Sequence, residues 1–446
     1  MCKTIVAIAT AYGVGSIAIV RLSGTNALQI AKKISKKSEI KPRYVHLTLL
    51  YDSEVNIIDE AILIYFKAPH SFTGEDVVEF QCHGGLVVAN QIVDLACLYG
   101  ARLATAGEYS KRAFLNGKID LTQAEAIAKL IEAKSVDAAK ILARQLQGSL
   151  LTFVEESRDM LLLALAHAEV MIDYGEEDLP TDIIELMFDK IDSLEAKLTQ
   201  LLESSHRRKG LIDGFRVAIV GKPNVGKSSL LNALLDYDRA IVSDIAGTTR
   251  DTIEEQVRIG THIIRLIDTA GIREANDEIE RIGVERSVAS LDDADIVIAV
   301  FDGSRPWDAE DTHILSKLQD IDSNKSILKV LNKVDLPRRL QHPYLDKGIL
   351  EMSLRGDCSI LTKKLQTILD EISSPEELML VSSRQIEAVK QTLLATKEAK
   401  IPLEQGELEL FAFHLNDAIK SLSSISKPYD NEDMLDKMFG EFCLGK

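Results

Sequence analysis

The sequence predicts a multidomain protein that combines α/β and all-α parts. Short apolar runs separated by turn signals fill residues 1–118 and again 215–375, as expected for two α/β modules. Between them, from Leu121 to about His206, apolar residues recur at helical spacing with almost no strand signal. The helical pattern returns after Pro375. We therefore expect a helical domain interrupted by an inserted α/β domain, because insertion is tolerated where the ends of an exposed loop lie close together.

The changes of pattern set the predicted boundaries. The predicted domains are an N-terminal module over 1–118, a helical domain over 119–211 and 376–446, and an inserted domain over 212–375. In the N-terminal module we expect strands over 5–9, 17–20 and 60–66, and helices over 26–36 and 86–99.

The two remaining domains differ in the spacing of their apolar residues. In the helical domain we expect helices over 123–147, 150–171 and 183–205, with an acidic, turn-rich loop over 172–182. The inserted domain has near-continuous apolar runs, which are typical of parallel strands covered on both faces. These runs lie at 215–220, 263–267, 296–301 and 327–331.

The composition limits the partners. The 446 residues carry a formal net charge of −17, whereas a protein that grips nucleic acid through many phosphates needs a concentrated basic surface. Only a local basic surface is therefore expected. RNA can still be a substrate, but tight binding of RNA by this protein alone is not expected.

The five cysteines are scattered without a CxxC pair, which predicts reduced thiols in a cytoplasmic protein. No apolar run reaches membrane-spanning length, so no membrane contact is expected.

Residues 221–228 match the phosphate-loop pattern between a predicted strand and a predicted helix. Gly221 and Gly226 allow the backbone to wrap a polyphosphate, so that amide groups and the helix N-terminus face the anion. Lys227 places a charge on the β and γ oxygens, and Ser228 offers its hydroxyl to Mg²⁺. The pattern predicts a nucleoside triphosphate site with Mg²⁺.

Three further motifs follow in order at 268–271, 332–335 and 352–354, and together they favour GTP over ATP. Asp268 follows a strand and supplies a carboxylate to the Mg²⁺ shell, while Gly271 offers an amide to the γ-phosphate. Asp335 can accept from guanine N1 and N2 together, which adenine cannot satisfy. A candidate switch loop places Thr249 as a second Mg²⁺ ligand. The predicted GTP contacts are Asn224, Val225, Gly226, Lys227, Ser228, Ser229, Ser243, Asp244, Ile245, Ala246, Gly247, Thr248, Thr249, Asp268, Thr269, Ala270, Gly271, Asn332, Lys333, Asp335, Ser353 and Leu354.

One substitution bears on hydrolysis. Ile272 occupies the position at which water-orienting GTPases carry Gln, and an apolar side chain cannot orient the attacking water. Another group must do so. Arg250 and Arg273 are candidates for a charge at the γ-phosphate, although arginines in such loops are more often solvated.

Motifs outside the inserted domain resemble the MnmE (TrmE) family of tRNA-modification GTPases. They lie at 15–24, 71–79 with 83–85, 107–118, and at the terminal Phe-Cys-Leu-Gly-Lys of 442–446. Ala11-Tyr12 and Ala106 stand where that family usually has Pro, and Cys82 stands where Gly is common. The resemblance covers nearly the whole chain.

The resemblance implies a homodimer formed through an N-terminal domain of the folate-binding type. A 5-formyl- or methylene-tetrahydrofolate would supply a one-carbon unit. With an FAD-dependent partner of the MnmG (GidA) type, the family adds an aminomethyl-type group, such as carboxymethylaminomethyl, to C5 of the wobble uridine of certain tRNAs. The folate candidates carried over by motif are Arg21, Glu79, Lys118 and Lys446.

The resemblance also implies that hydrolysis follows pairing of two G domains around K⁺. The matching K⁺ positions are Asn224, Ser243, Ile245 and Thr248, and Glu280 matches the acid that positions water. Cys443 is a candidate nucleophile or folate-site residue, or else a small buried hydrophobe. His83 is either a general base or a hydrogen-bonded structural residue.

Two other functions compete with this one. A regulatory GTPase of ribosome assembly would share the phosphate loop, but it has no reason to carry the N-terminal and C-terminal motifs. A copy that binds GTP without a modification role is the third possibility, and the intact terminal motif at 442–446 argues against it.

Overall fold

The computed structural model describes residues 3–173, 182–237, 255–267, 291, 293–320, 325–342, 348–354, 358–372, 378–427, 432–442 and 445. By contacts the chain divides into two compact units. One comprises residues 1–128, 151–159 and 419–446, and the other comprises 129–150 and 160–418. This division is coarser than the predicted domain boundaries, which remain predictions. Within the described residues, no helix is both long and apolar enough to cross a membrane.

The first unit contains a six-stranded sheet in the order β3-β4-β5-β2-β1-β6. Neighbouring strands are antiparallel except for the parallel pair β1 and β6. The strands are β1 (Ile5–Ile8), β2 (Ile17–Ser23), β3 (Val45–Tyr51), β4 (Ile57–Phe66), β5 (Val77–His83) and β6 (Arg102–Leu103).

One face of this sheet carries the main core of the unit. Helices α1 (Ala27–Ser35) and α2 (Leu86–Leu98) contribute Ile30, Ile34 and Ile92, which pack on buried strand residues such as Val20 and Phe80. The alternation of strand side chains sends Ile19 and Arg21 to the opposite face. Helix α3 (Glu108–Leu115) places Tyr109 in a smaller cluster there.

Further helices lie in the two regions where the sequence predicts a helical domain. Their bounds are α4 (Leu121–Glu132), α5 (Val136–Leu146), α6 (Ser149–Asp173), α7 (Asp182–Asp213), α11 (Ser383–Gln405), α12 (Leu408–Ser423) and α13 (Glu432–Gly440). The single helix expected over 123–147 is two helices, because Ser135 accepts a hydrogen bond from the amide of Ala138 as the N-cap of α5. The expected loop begins later than 172, since Ile172 and Asp173 belong to α6.

The second unit contains the predicted mainly parallel sheet, in the order β12-β11-β10-β7-β9-β8. Only the edge strand β8 is antiparallel to its neighbour. The elements are β7 (Phe215–Val220), α8 (Lys227–Tyr237), β8 (Glu255–Ile259), β9 (His262–Leu266), β10 (Ile296–Asp302), α9 (Ala309–Gln319), β11 (Ser326–Asn332), β12 (Ile349–Glu351) and α10 (Ser359–Ile372). The four strands expected here are confirmed, whereas β8 and β12 were not predicted.

Candidate functional site

The phosphate loop connects the central strand β7 to helix α8. Strands β10 and β11 end beside it, because their parallel register with β7 brings the carboxyl ends of the three strands to one edge. Ligands of open α/β sheets bind at this edge, where chain connections diverge to the two sides. The loop therefore lies where the sequence pattern requires a phosphate site.

Two glycines give this loop its shape. A Cβ added at Gly221 would lie 2.5 Å from the carbonyl oxygen of Val300. Gly226 has φ +110°, and a Cβ there would lie 2.3 Å from Nδ2 of Asn332. A side chain at either position would therefore collide with the neighbouring strand ends.

The side chain of Lys227 contacts the beginning of the phosphate loop. Its Nζ donates to the carbonyl oxygens of Gly221, at 2.9 Å, and of Lys222, at 2.8 Å. Ser228 and Ser229 lie exposed in the first turn of α8, which begins directly after the phosphate loop. This arrangement holds the ammonium group beside the loop amides that are expected to bind an anion.

Asn332 joins the phosphate loop to the last predicted motif. It ends β11, and its buried side chain donates from Nδ2 to the carbonyl of Val225 at 2.7 Å. Its Oδ1 accepts from the amide of Leu354 at 3.0 Å. One amide side chain thus joins three predicted motifs, of which the phosphate loop lies 107 residues and Leu354 lies 22 residues from Asn332 in sequence.

Lys333 makes a second link to the same loop. Its Nζ donates to the carbonyl of Asn224 at 2.8 Å and to Oδ2 of Asp302 at 2.6 Å. Asn224 has φ +63°, a left-handed conformation that Asn tolerates, and its side chain is exposed. The link holds the backbone of Asn224 while leaving its side chain accessible.

Asp302 is a site residue that sequence reasoning missed. It ends β10, is 2% exposed, and accepts from the amide and hydroxyl of Ser304. Burial alone would raise the pKa of Asp302, but hydrogen bonds from Lys333 and Ser304 outweigh it and lower the pKa. Its position at the carboxyl end of a buried parallel strand was the available signal.

Asp335 and Ser353 lie at the same edge of the sheet. Asp335 is exposed in the turn after β11, and Ser353 is half-buried after β12. Several predicted residues fall outside the described residues, so their structural roles remain predictions. They are Ser243, Asp244, Ile245, Ala246, Gly247, Thr248, Thr249, Arg250, Asp268, Thr269, Ala270, Gly271, Ile272, Arg273, Glu280, Cys443 and Lys446.

In the first unit, Arg21 and Glu79 form an ion pair on the sheet face opposite the helices. They are directly opposed in the pairing of β2 with β5, and Arg21 Nε lies 2.8 Å from Glu79 Oε1. Arg21 Nη1 also donates to the carbonyl of Gly445 at 3.5 Å. The Tyr109 hydroxyl donates to the carbonyl of Arg21 at 2.6 Å. Two predicted folate residues therefore meet, together with the penultimate residue of the chain.

Lys118 lies near a different part of the same motif set. Its side chain passes Gly74, where an added Cβ would be 3.2 Å from Lys118 Cε, and Lys118 itself is exposed. In the part of the chain that the structure describes, Lys118 makes no hydrogen bond or ion pair with Arg21. The structure therefore brings Arg21 and Glu79 together but leaves Lys118 as a separate exposed cation.

Four charged side chains form a network beside this site, and two of them, Arg112 and Glu108, are buried. Arg112 donates to Glu75 and to Glu108, each at 2.9 Å, and Arg102 also binds Glu108. Burial alone would raise the pKa of Glu108, but hydrogen bonds from Arg102, the Thr105 amide and Arg112 lower it to about 2. The network holds α3, and hence Tyr109, against the sheet.

A cavity of about 250 Å³ lies at the end of β1 and was not predicted. Glycines 13, 15, 84 and 85 form much of its wall, together with Thr10, Tyr12 and Leu86. His83, immediately before Gly84, binds Asp59 through Nδ1 at 2.7 Å and is largely exposed. Cys82 is buried, and its burial raises the pKa of the thiol to about 11, so this cysteine is a poor nucleophile.

Comparisons with known proteins address the whole chain. The sequence model described as "GTP-binding protein TrmE N-terminus" matches residues 4–118, and the model of the MnmE helical domain matches 121–443. A tRNA modification GTPase MnmE from Sulfurovum sp. is 62% identical over 447 residues, which is 100% of this chain and 99% of that protein. The chain belongs to the MnmE family of tRNA modification GTPases.

Other relatives agree with this assignment. The MnmE protein of Aliarcobacter butzleri is 59% identical over 443 residues, covering 99% of both chains. Among solved structures, Era in complex with MgGDPNP and a segment of 16S ribosomal RNA is 31% identical. It covers 41% of this chain and 66% of that chain, with a TM-score of 0.26. As a member of the MnmE family, the chain is a GTPase.

Proposed function

We propose that this GTPase takes part in adding an aminomethyl-type group, such as carboxymethylaminomethyl, to C5 of the wobble uridine of tRNA. An FAD-dependent partner would act with it. The observation that carries the proposal is the presence, in one chain that matches MnmE relatives over its full length, of a phosphate loop and a separate charged N-terminal site. A switch that only bound GTP would not need the second site.

The described residues have distinct proposed roles in nucleotide binding. Loop amides of 221–228 and the N-terminus of α8 would bind the phosphates, and Lys227 would move its ammonium from the loop carbonyls to the anion. Asp335 would accept from guanine, while Asn332 and Lys333 keep the base loop attached to the phosphate loop. Ser228 would offer a hydroxyl to Mg²⁺, whose charge stabilises the leaving phosphate oxygens.

The proposed hydrolysis step depends on K⁺ and on pairing of two G domains. Asn224 supports the K⁺ site, because its side chain is exposed while its backbone is held by Lys333. An oxygen ligand at this place suits a hard cation. Ser243, Ile245 and Thr248 would complete the site, and Glu280 would orient the attacking water.

The N-terminal site is proposed to bind a 5-formyl- or methylene-tetrahydrofolate, which supplies the one-carbon unit when bound. The half-buried guanidinium of Arg21 has remaining donors beyond its bond to Glu79, and folates are anionic. Lys118 and Lys446 would add positive charge, and Glu79 would orient Arg21. The carbonyl contact of Gly445 with Arg21 supports a role for the terminal segment, including Cys443.

A cytoplasmic homodimer is proposed as the working form. Val45, Leu47 and Ile17 are exposed on the sheet face opposite the helices, so apolar surface is available for a second copy. The net charge of −17 supports tRNA binding only through a local basic surface or through the partner enzyme. The boundaries of the three proposed domains are those predicted from the sequence.

Nucleoside analysis of tRNA tests the modification proposal. Cells that lack this protein should lose the modified wobble nucleoside, and the wild-type gene should restore it. An Arg21→Ala gene should restore GTPase activity but not the nucleoside. Unchanged modified nucleoside in the deleted cells, with a defect in ribosome assembly, would reject the proposal in favour of a ribosome-assembly GTPase.

A further inference from the structure

An ion-pair cluster of Lys222, Asp308 and Asp311 lies at the phosphate loop, and none of the roles proposed above uses it. Lys222, the second residue of the loop, donates from Nζ to Asp308 Oδ2 at 2.8 Å and to Asp311 Oδ2 at 2.6 Å. Asp308 is the N-cap of α9, and Asp311 completes the capping box of that helix. Lys222 therefore joins the phosphate loop to the start of α9.

The cluster is buried at its centre. The side chain of Lys222 is 8% exposed and that of Asp311 is 1% exposed, whereas Asp308 is about half exposed. Burial alone would lower the pKa of Lys222, but the hydrogen bonds that it donates to Asp308 and Asp311 outweigh burial and raise the pKa. A buried ion pair is costly to break, because one charge is left without a partner.

The backbone of Lys222 also takes part in the nucleotide site. Its carbonyl accepts from Lys227 Nζ at 2.8 Å, and its neighbour Gly221 is packed against the carbonyl of Val300. The side chain and the carbonyl of one residue are thus both held by hydrogen bonds. Rotation of this peptide would move the carbonyl oxygen that accepts from Lys227 and would change the direction of the loop amides.

We propose that Lys222 is a positioning residue of the GTP site. Its ion pairs with Asp308 and Asp311 hold the first half of the phosphate loop in the conformation that accepts the β-phosphate. Lys222 does not touch the nucleotide; it acts through the loop backbone and through Lys227. The inference rests on GTP binding by this site and not on K⁺, folate or tRNA chemistry.

The test compares GDP with GMP in the full-length protein. GMP lacks the β-phosphate and reports mainly on the base pocket, whereas GDP also engages the loop. Both affinities are measured by competition against a fluorescent GDP analogue. For Lys222→Met we expect GDP affinity to fall about 10- to 100-fold, as expected for loss of charge-assisted hydrogen bonds, while GMP affinity changes less than about threefold.

Further variants separate positioning from stability. Lys222→Met leaves Asp311 buried without its cation, so Lys222→Met with Asp311→Leu is measured beside it and should show the same selective loss of GDP. Asp308→Asn should give a smaller selective loss, and Lys222→Arg should retain most of the GDP affinity. Lys400→Met is the matched control, since Lys400 bridges Asp192 and Glu195 of α7. It should lower the unfolding temperature without changing the ratio of GMP to GDP affinity.

Two outcomes would overturn the proposal. The first is an equal loss of GMP and GDP affinity in the folded double variant, which would indicate a purely structural role. The second is an unchanged GDP affinity in that variant. Failure of the wild-type protein to bind GDP at all would instead contradict the GTPase assignment, so the two failures are distinguishable.

Discussion

The nucleotide site and the N-terminal charged site are built in different ways. At the nucleotide site, glycine backbone and strand ends define the geometry, and the key contacts run from side chains to main-chain carbonyls. At the N-terminal site, the contacts of Arg21, Glu79, Arg112 and Glu108 are mainly between charged side chains. The first site is shaped by chain geometry and the second by paired charges.

This difference has consequences for mutation. Loss of one side chain at the nucleotide site should change selectivity or rate, because the backbone cradle persists. Loss of one charge in the N-terminal network removes ion pairs and leaves the remaining buried charges less compensated, so the stability should fall as well. The predictions below test that contrast in order of expected effect.

The largest effect is expected on the rate of hydrolysis. GTP turnover should be much faster in KCl than in NaCl, and a positive charge at the γ-phosphate is worth roughly 10³–10⁵-fold in rate by analogy with an arginine finger. Asn224→Ala should abolish this response but retain most nucleotide affinity, because the loop amides and Lys227 remain. Steady-state hydrolysis in matched salts measures it. Equal rates in both salts, unaffected by Asn224→Ala, would turn attention to Arg250 and Arg273.

A related prediction separates pairing from chemistry. Glu280→Ala should leave K⁺-dependent approach of the G domains intact while hydrolysis falls, since Glu280 is expected to orient water and not to bind the ion. A spin-label or fluorescence distance between the two G domains, measured with a non-hydrolysable GTP analogue, checks this. Loss of both pairing and hydrolysis would assign Glu280 to the interface.

At the N-terminal site the largest effect should fall on stability. Arg112→Met leaves Glu75 and Glu108 without their shared cation and should lower the free energy of unfolding by about 3–5 kcal/mol. Urea unfolding of the full chain measures it, with Lys129→Met, at a partly exposed ion pair, as a control expected to cost less than about 0.5 kcal/mol. A small loss in Arg112→Met would contradict the contrast between the sites.

The same network predicts a pH dependence. The folded pKa of Glu108 is about 2, against an ordinary value of 4.5. A lowered folded pKa gives stability that is complete above the unfolded pKa and is lost as pH falls from about 4.5 towards 2. Glu108→Gln should make the unfolding midpoint less sensitive to pH across that window. An unchanged slope would exclude Glu108 as the titrating group.

Base selectivity should change by a smaller amount. Asp335→Asn removes a charged acceptor for guanine N1 and N2, and we expect GTP affinity to fall by about 2–3 kcal/mol. Xanthosine triphosphate should be partly accepted, because its C2 position carries a carbonyl oxygen. Competition binding with the two nucleotides measures the switch. Wild-type affinity for GTP in this variant would show that the base pocket lies elsewhere.

The smallest effect is expected for individual folate contacts. Arg21→Ala and Lys118→Ala should each weaken folate binding by about 1–2 kcal/mol, as charge-assisted bonds near the surface. GTP affinity should not change. Titration of the double variant with 5-formyltetrahydrofolate and with GTP tests both expectations. Wild-type folate affinity in the double variant would remove both residues from the proposed site.

Local pattern was enough to predict much of the second unit. The run Phe215–Val220, the glycine-containing loop and the following helix were all predicted, because each depends on residues adjacent in sequence. The edge strand β8 was not predicted, since its residues Glu255–Ile259 become a strand only by pairing with β9. The same holds for β12, which pairs with β11 over three residues.

The sequence by itself predicted where a phosphate would bind, because that predicted site is a single continuous turn whose glycines and lysine have a characteristic spacing. It also determined the family, since the outer motifs span the chain. Only the tertiary structure showed that Lys222 reaches the cap of α9, that Asp302 holds Lys333, and that Gly445 meets Arg21. Those contacts join residues from about 30 to more than 400 positions apart, and no local pattern encodes which distant charges will be buried together.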